Sequence, residues 1–333
     1  MRRRALLSRA AECLFWAFRY VERAENIARA IDVNLNLTLD QPGNTADQWA
    51  PLYQVTGEEI EFVKRYEKAT PANVMRFLTF DSTYSNSILS CLLAARENAR
   101  SVREVISSEM WEQMNKFYLF VQSASETGRA LRNPSDFYRE VRTASHLLEG
   151  LTAATMSHSE AWQFVRMGRM VERADQTSRI LDVKYFILLP QLNLVNSPVD
   201  DVQWMAVLKS CSGFEMYRKQ YGRLLPMTIV EFLLLDREFP RAVLYCLNSA
   251  CDCLHRITGF APDEYLESEV LLEKLRSDLS HSATKQIMNS GLHEFIDGLQ
   301  GRLNGVGAAI HSDFFAPSDL PAKPNGTRHA SLS

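Results

Sequence analysis

Glycine and proline are scarce in this chain: its 333 residues include 14 glycines and 12 prolines. Both residues supply the backbone conformations that tight turns need, so their scarcity favours long helices over many strands. Long apolar runs are missing too. No stretch reaches the ~18 consecutive apolar residues that a membrane-spanning helix requires. We therefore expect no membrane partner.

Excess charge of either sign is also absent, because the formal net charge is only −3. Nucleic-acid-binding proteins usually carry a strong basic patch, so we expect no nucleic-acid partner. The basic start of the chain looks like a signal peptide, but Arg9 and Glu12 interrupt its apolar run and no cleavage site follows. The six cysteines lie mostly in apolar helical patterns, which is typical of reduced thiols. These features predict a cytoplasmic protein.

Helical periodicity dominates what is present. Apolar residues recur at i, i+3 and i+4 in nine segments, and no alternating Val, Ile or Thr segment competes for a strand. The segments are 5–39, 47–66, 87–106, 109–131, 135–155, 158–188, 201–223, 240–258 and 283–312. The pattern predicts an all-α fold, and the polar, proline-rich residues 316–333 are expected to be a disordered tail.

Two blocks of sequence occur twice. RYVERAENIARAIDV (19–33) and RMVERADQTSRILDV (169–183) share 8 of 15 residues at an offset of 150. The segments 77–97 and 232–252 match at an offset of 155 and follow in the same order. The period is much longer than the ~34–47 residues of helical solenoid repeats. We predict a long-helix bundle of two duplicated units, 1–156 and 157–315, packed into one body and related by a pseudo-two-fold axis.

The duplicated helix carries charges that helix stability does not explain. Arg19 and Arg23 are four residues apart, as are Arg169 and Arg173, and like charges at this spacing destabilise a helix. Something outside the helix must neutralise them: either carboxylates from other helices or an anionic ligand, since a guanidinium fork binds both. The candidate binding residues here are Arg19, Glu22, Arg23, Asn26, Arg169, Glu172 and Arg173.

The same helix also contains two pairs with the favourable order for intrahelical ion pairs, Glu25 with Arg29 and Asp175 with Arg179. We interpret these two pairs as structural.

A second polar cluster, ARENAR (95–100), adds Arg96, Glu97 and Asn98 to the candidate binding residues. The second copy reads ACDCLH there and lacks both arginines. A function at this cluster would therefore belong to the first half alone. The alternative interpretation is a solvated stretch of a long helix.

No pattern identifies a metal site, a cofactor site or a nucleophile. Cys251 and His255 share a helical face, but Cys253 points away, so the three cannot hold one zinc ion. A di-iron bundle needs two Glu-x-x-His motifs, and the chain has only the reversed order from His146 to Glu149. Phosphate-binding glycine loops and common hydrolase motifs are missing from the sequence. We expect no metal and no cofactor.

Four blocks together resemble the bacterial alpha-E domain proteins: LSRAAECLFWAFRYVERAENIARAIDV, FLTFD…SILSCLLAARENARSVRE, GRMVERADQTSRILDV and FLLLDREFPRAVLYCL. The resemblance runs through residues 6–312. It departs at Phe18, where the family usually has glycine, as at Gly168 in the second copy. It departs again at 81–85, where an Arg-Glu-Asn-Pro-like loop is missing. A bulky Phe18 is expected to tighten the helix contact there.

The resemblance implies an all-α protein encoded beside, or fused to, circularly permuted ATP-grasp ligase-like proteins. It therefore predicts an accessory partner of an amide-forming, peptide-modifying system, which presents its Glu-Arg helices to the ATP-grasp protein or to an anionic small-molecule or peptide substrate. The alternative is an enzyme of the same pathway, acting on a peptide or amino acid in the helical body.

Overall fold

The computed structural model describes residues 6–40, 45–54, 56, 58–188, 198–259 and 265–316. The regular secondary structure of these residues is entirely helical, which confirms the all-α prediction. Beyond Ala316, the predicted disordered tail lies outside the described residues. None of the described helices combines the length and apolar composition needed to cross a bilayer.

Sixteen α-helices and a terminal π-helix make up the described chain. In the first half they are α1 (Ser8–Asp40), α2 (Thr45–Gln54), α3 (Glu59–Tyr66), α4 (Pro71–Phe80), α5 (Ile88–Ser101), α6 (Ser108–Thr127), α7 (Arg129–Arg132) and α8 (Pro134–Thr155). In the second half they are α9 (Glu160–Leu188), α10 (Pro198–Ser210), α11 (Phe214–Tyr221), α12 (Pro226–Leu235), α13 (Val243–Thr258), α14 (Glu267–Ser280), α15 (Thr284–Ser290), α16 (Leu292–Ile310) and the π-helix (His311–Phe315).

The two longest helices form the centre of the bundle. α1 packs against α9 along its length, and also against α5 and α8. In the same way α9 packs against α13 and α16. α6 bridges α5 and α8 in the first half, and α14 bridges α13 and α16 in the second. Each half is therefore a small bundle that joins the other through α1 and α9.

The short helices α4 and α12 have the same construction. Each begins with proline, Pro71 or Pro226, at a position where the missing N–H is not needed. Each ends at an aspartate, Asp81 or Asp236, whose carboxylate accepts the backbone N–H two residues later, at 2.9 Å and 2.8 Å respectively. The repeated sequence blocks 77–97 and 232–252 thus begin with the same local geometry.

Aromatic rings pack in the same arrangement in both halves. The first two rings stack at a centroid distance of 5.4 Å in one half and 5.0 Å in the other, and the last two at 4.4 Å and 4.5 Å. Every ring lies 155 residues from its counterpart. The rings are Phe62, Tyr66, Phe77 and Tyr84, and then Tyr217, Tyr221, Phe232 and Phe239. This matched packing supports the duplication, which remains a prediction together with its pseudo-two-fold axis and unit boundaries.

The structure adds three helices that we did not predict from periodicity: α4, α12 and α14. The sequence of α12, PMTIVEFLLL, is apolar nearly all round, as expected of a buried helix with no amphipathic period to recognise. α14 does carry a periodic buried face at Leu272, Leu275 and Leu279, so its signal was present.

Four predicted segments are each divided in the structure. The segments 47–66, 109–131, 201–223 and 283–312 become α2 and α3, α6 and α7, α10 and α11, and α15 and α16. The second and fourth divisions fall at Gly128 and Gly291, whose φ angles of +66° and +98° favour glycine.

Candidate functional site

α1 and α9 approach closely at Gly168. A Cβ atom built on this glycine would lie 2.3 Å from the carbonyl oxygen of Phe15, so a side chain there would push the two backbones apart. Phe18, the corresponding residue of the first copy, is 3% exposed and packs under Arg169, whose Cζ lies 5.4 Å from the ring centroid. Phe18 therefore fills the helix interface.

At this interface each motif glutamate binds the motif arginine of the other helix. Arg173 donates from Nε and Nη2 to the two carboxylate oxygens of Glu22, at 2.7 and 2.9 Å. Arg23 donates from the same two atoms to Glu172, also at 2.7 and 2.9 Å. Both glutamates are buried. The prediction that they accept bonds from arginines on other segments is confirmed, and each pairing is bidentate.

Each glutamate has a second arginine, but the two come from different places. Arg19 of α1 donates from Nε to Glu172 at 2.9 Å. Arg241, in the turn before α13, donates from Nη1 to Glu22 at 3.1 Å. The residue 155 positions before Arg241 is Asn86, which instead accepts a hydrogen bond from Arg23 at 2.5 Å.

Side-chain amides complete the shell of each carboxylate. Asn26 donates to Glu22 at 3.2 Å, and its counterpart Gln176 donates to Glu172 at 3.0 Å. The predicted site residue Asn26 thus belongs to the same cluster.

The arginines keep both carboxylates charged. Burial alone would raise the pKa of Glu172, but Arg23 and Arg19 outweigh burial and lower it to about 2. Burial opposes the charge of Glu22 as well, yet Arg173 and Arg241 hold its pKa far below the usual range. Such buried pairs are costly to break, because removal of one partner leaves an uncompensated charge.

A third carboxylate closes one side of the cluster. Glu149 of α8 accepts from Arg169 Nη1 at 2.5 Å and from Arg173 Nη2 at 3.4 Å. It is 40% exposed, which makes it the most accessible of these carboxylates. A small pocket borders it, and Glu22 is also part of the lining. The lining residues are Phe18, Val21, Glu22, Ser145, Leu148, Glu149 and Arg169.

The two predicted intrahelical ion pairs are confirmed. Glu25 pairs with Arg29, and Asp175 pairs with Arg179 at 2.8 Å. Glu25 also accepts from Arg241 at 2.9 Å, so this pair is joined to the main cluster.

Arginine–carboxylate pairs continue along α1 and α9 and onto the helices beside them. Among the described residues, eight arginines form ion pairs with six acidic residues in this region. The arginines are Arg19, Arg23, Arg29, Arg142, Arg169, Arg173, Arg179 and Arg241, and the acids are Glu22, Glu25, Asp32, Glu149, Glu172 and Asp175.

The second predicted cluster lies elsewhere, between α5 and α6. Arg96 donates to Asn115 at 2.7 Å and to Glu97 at 2.8 Å, and its guanidinium stacks over the Tyr118 ring. Asn98 is half-buried on the same helix. In the part of the chain that the structure describes, no hydrogen bond or ion pair joins this cluster to the α1–α9 cluster.

Sequence analysis missed three residues of the main cluster: Asn86, Arg241 and Glu149. Arg241 had a usable signal, because it lies in a repeated block and replaces an amide with a charge. Glu149 was considered only as a metal ligand. No group of three metal-binding side chains occurs among the described residues.

The thiols next to the cluster are not activated. Burial raises the pKa of Cys91 and of Cys246 to about 12. Both thiols are therefore protonated near neutral pH, whereas a nucleophilic cysteine needs a lowered pKa.

A family model described as a predicted alpha-helical domain with a conserved ER motif, named Alpha-E, matches residues 6–315. The chain belongs to the Alpha-E family. Its two Glu-Arg dipeptides, Glu22-Arg23 and Glu172-Arg173, form the reciprocal ion pairs between α1 and α9.

Three relatives are described as uncharacterized proteins, one from Mycobacterium bovis and two from strains of Mycobacterium tuberculosis. Each is 21% identical over 327 residues, which covers 92% of this chain and 36% of the relative. The chain thus spans about a third of the length of the curated relatives it matches. No solved structure matches it significantly.

Proposed function

We propose that this Alpha-E protein is an accessory module of an amide-forming, peptide-modifying system, which binds an ATP-grasp ligase-like protein and holds an anionic substrate for it. The observation that carries the proposal is that the Glu-Arg motifs form ion pairs within the protein. Glu22, Arg23, Glu172 and Arg173 bond chiefly to one another, so they stabilise a framework rather than supply reactive groups.

The arginines that stay partly exposed support the substrate part of the proposal. Arg19 and Arg23 both donate to Glu172, yet their side chains are 13% and 17% exposed. A guanidinium fork that solvent reaches can also bind a carboxylate or phosphate from outside.

The lengths of the relatives support the accessory part. In the mycobacterial proteins a region equivalent to this chain occupies only 36% of the sequence. There, the Alpha-E region is covalently joined to a larger remainder. This arrangement supports a role for the Alpha-E region beside another protein or domain. The ATP-grasp identity of that protein comes from the resemblance of the four sequence blocks.

Co-purification tests the proposal. The chain and an ATP-grasp ligase-like protein encoded beside it are produced together, with a tag on one of them, and analysed by size-exclusion chromatography. A stoichiometric complex is expected. Elution as two separate proteins at every concentration would contradict the accessory role, and turnover of a peptide by the isolated chain would favour the enzyme alternative.

A further inference from the structure

The outer arginines of the two motifs, Arg19 and Arg169, end in different surroundings. Arg169 reaches α8 and meets the carboxylate of Glu149 at 2.5 Å. Arg19 reaches α16 and lies beside Gly307, where a built Cβ would be 3.8 Å from Arg19 Nη1 and would meet no other atom within 4 Å. One face of the α1–α9 pair is thus closed by a carboxylate, and the other face has a glycine at that place.

The part of α16 around Gly307 offers no acidic side chain to close this second face. Residues 298–312 read GLQGRLNGVGAAIHS and contain neither Asp nor Glu. The Nε of Arg19 donates to Glu172, but its Nη1 and Nη2 donate to no acceptor among the described residues.

Arg23 has a spare N–H group that its counterpart Arg173 uses. Arg173 uses Nη2 twice, for Glu22 and for Glu149. Arg23 uses Nη2 only for Glu172, so one of the two N–H groups on that nitrogen remains for another acceptor.

Neighbouring rings hold the Arg19 guanidinium in place. Its Cζ lies 4.7 Å from the centroid of the Trp16 ring and 5.6 Å from that of Phe15. Arg19 and Arg23 are nevertheless 13% and 17% exposed, so a solute can reach them. A fixed, partly exposed guanidinium pair is well arranged to bind a planar anion.

We propose that Arg19 and Arg23 bind a carboxylate group against Gly307, in the position that Glu149 occupies on the related face. A carboxylate is the expected ligand because the protein itself uses one there. The inference deepens the proposed function by naming the chemistry of the substrate. Its test is a titration of the isolated protein, so it and the co-purification can fail independently.

Calorimetric titration with N-acetyl-L-glutamate provides the test. Wild-type protein is expected to bind one molecule. The variant Gly307→Glu places an internal carboxylate beside Arg19 and is expected to weaken binding at least tenfold, a factor typical for one charge-assisted hydrogen bond.

Two controls separate charge at the site from other effects. Gly307→Gln has the size of the first variant without its charge, and Gly305→Glu adds the same charge to α16 where a built Cβ meets nothing within 4 Å. Gly305→Glu should bind like the wild type, and Gly307→Gln, which fills the site without a charge, should weaken binding less than Gly307→Glu. Unchanged binding by Gly307→Glu, or equal losses in all three variants, would overturn the proposal.

The related face gives a converse experiment. Glu149→Ala removes the internal carboxylate and its volume from beside Arg169 and Arg173, so the stoichiometry should rise from one ligand to two. A stoichiometry of one would contradict the equivalence of the faces on which the proposal depends.

Competing anions identify the ligand chemistry. Inorganic phosphate at equal ionic strength should bind more weakly than N-acetyl-L-glutamate, and equal or tighter binding of phosphate would overturn the carboxylate assignment. The peptide acetyl-Ala-Ala-Glu distinguishes the source: tighter binding than N-acetyl-L-glutamate supports a peptide carboxylate, and equal binding supports a free one. No binding of either compound would overturn the inference.

Discussion

At the scale of single residues, Glu172 shows why the motif arginines tolerate their like-charge spacing. Arg19 and Arg23 would repel each other on an isolated helix, but both donate to this one carboxylate of α9. The sequence predicted that something outside the helix must neutralise them. It could not identify the partner, because contacts between positions about 150 residues apart depend on how the helices pack.

Replacement of Glu172 by glutamine tests this neutralisation. Glutamine keeps the shape but leaves Arg19 and Arg23 without their anion, so the free energy of unfolding should fall by about 3–5 kcal/mol, as for other broken buried ion pairs. Urea denaturation measures the change. Glu97→Gln is the control: its side chain is 37% exposed, and it should change stability by no more than about 0.5 kcal/mol. A change as small as this for Glu172→Gln would exclude a bracing role.

The lowered pKa of Glu172 also predicts a pH dependence. The pKa is about 2 in the folded protein, below the ordinary value of 4.5 expected after unfolding. The unfolded chain therefore binds the proton first as pH falls, and the stability from this group is complete above about pH 4.5 and is lost toward pH 2. Unfolding measured across this range should show a smaller acid loss for Glu172→Gln than for wild type. Identical pH profiles would contradict the lowered pKa.

At the scale of helices, the sequence predicted the long elements well and missed two of the short ones. α1, α8 and α9 begin and end within a few residues of their predicted segments, because apolar residues recur over many turns of each. α4 and α12 have ten residues each, which is shorter than the stretch over which a helical period can be recognised. Periodic patterns also do not predict how closely α1 approaches α9, although the sequence does show Gly168, the residue that permits the close contact.

Gly168→Ala tests the close approach of these two helices. The added methyl group would meet the Phe15 carbonyl oxygen, a backbone atom, so the helices must separate and the protein should lose about 1–3 kcal/mol of stability. Gly150→Ala on α8 is the matched control, since a Cβ there meets nothing within 4 Å. It should be neutral or stabilise by up to about 1 kcal/mol through helix propensity. Thermal unfolding that ranks the two variants in the opposite order would disprove the contact.

At the scale of the whole molecule, the reciprocal ion pairs of Arg23 with Glu172 and of Arg173 with Glu22 join the two halves. Each half alone would contain a glutamate whose bidentate partner is on the other half. The duplication in the sequence indicated two units in one body, but not that the repeated charges themselves would connect them. That arrangement follows from the packing of α1 on α9, which places each motif opposite its own copy.

Fragments 1–156 and 157–333 test this dependence. Separately produced, each should lack cooperative unfolding, because it loses both the α1–α9 interface and its carboxylate pairing. Produced together, they should form a one-to-one complex with the helical circular dichroism of the intact chain. Arg173→Gln in the second fragment should weaken that complex. Two independently stable fragments that do not associate would contradict the joining role.

The central claim is that the Glu-Arg motifs stabilise the protein through ion pairs formed between the two halves. A double-mutant cycle on Glu22→Gln and Arg173→Gln, followed by urea denaturation, tests it most directly. Both single variants should be strongly destabilised. The loss of unfolding free energy in the double variant should be about 2 kcal/mol smaller than the sum of the two single losses, within the range found for residues of one network. Effects that add to within about 0.5 kcal/mol would show that the two residues act independently, and would contradict the claim.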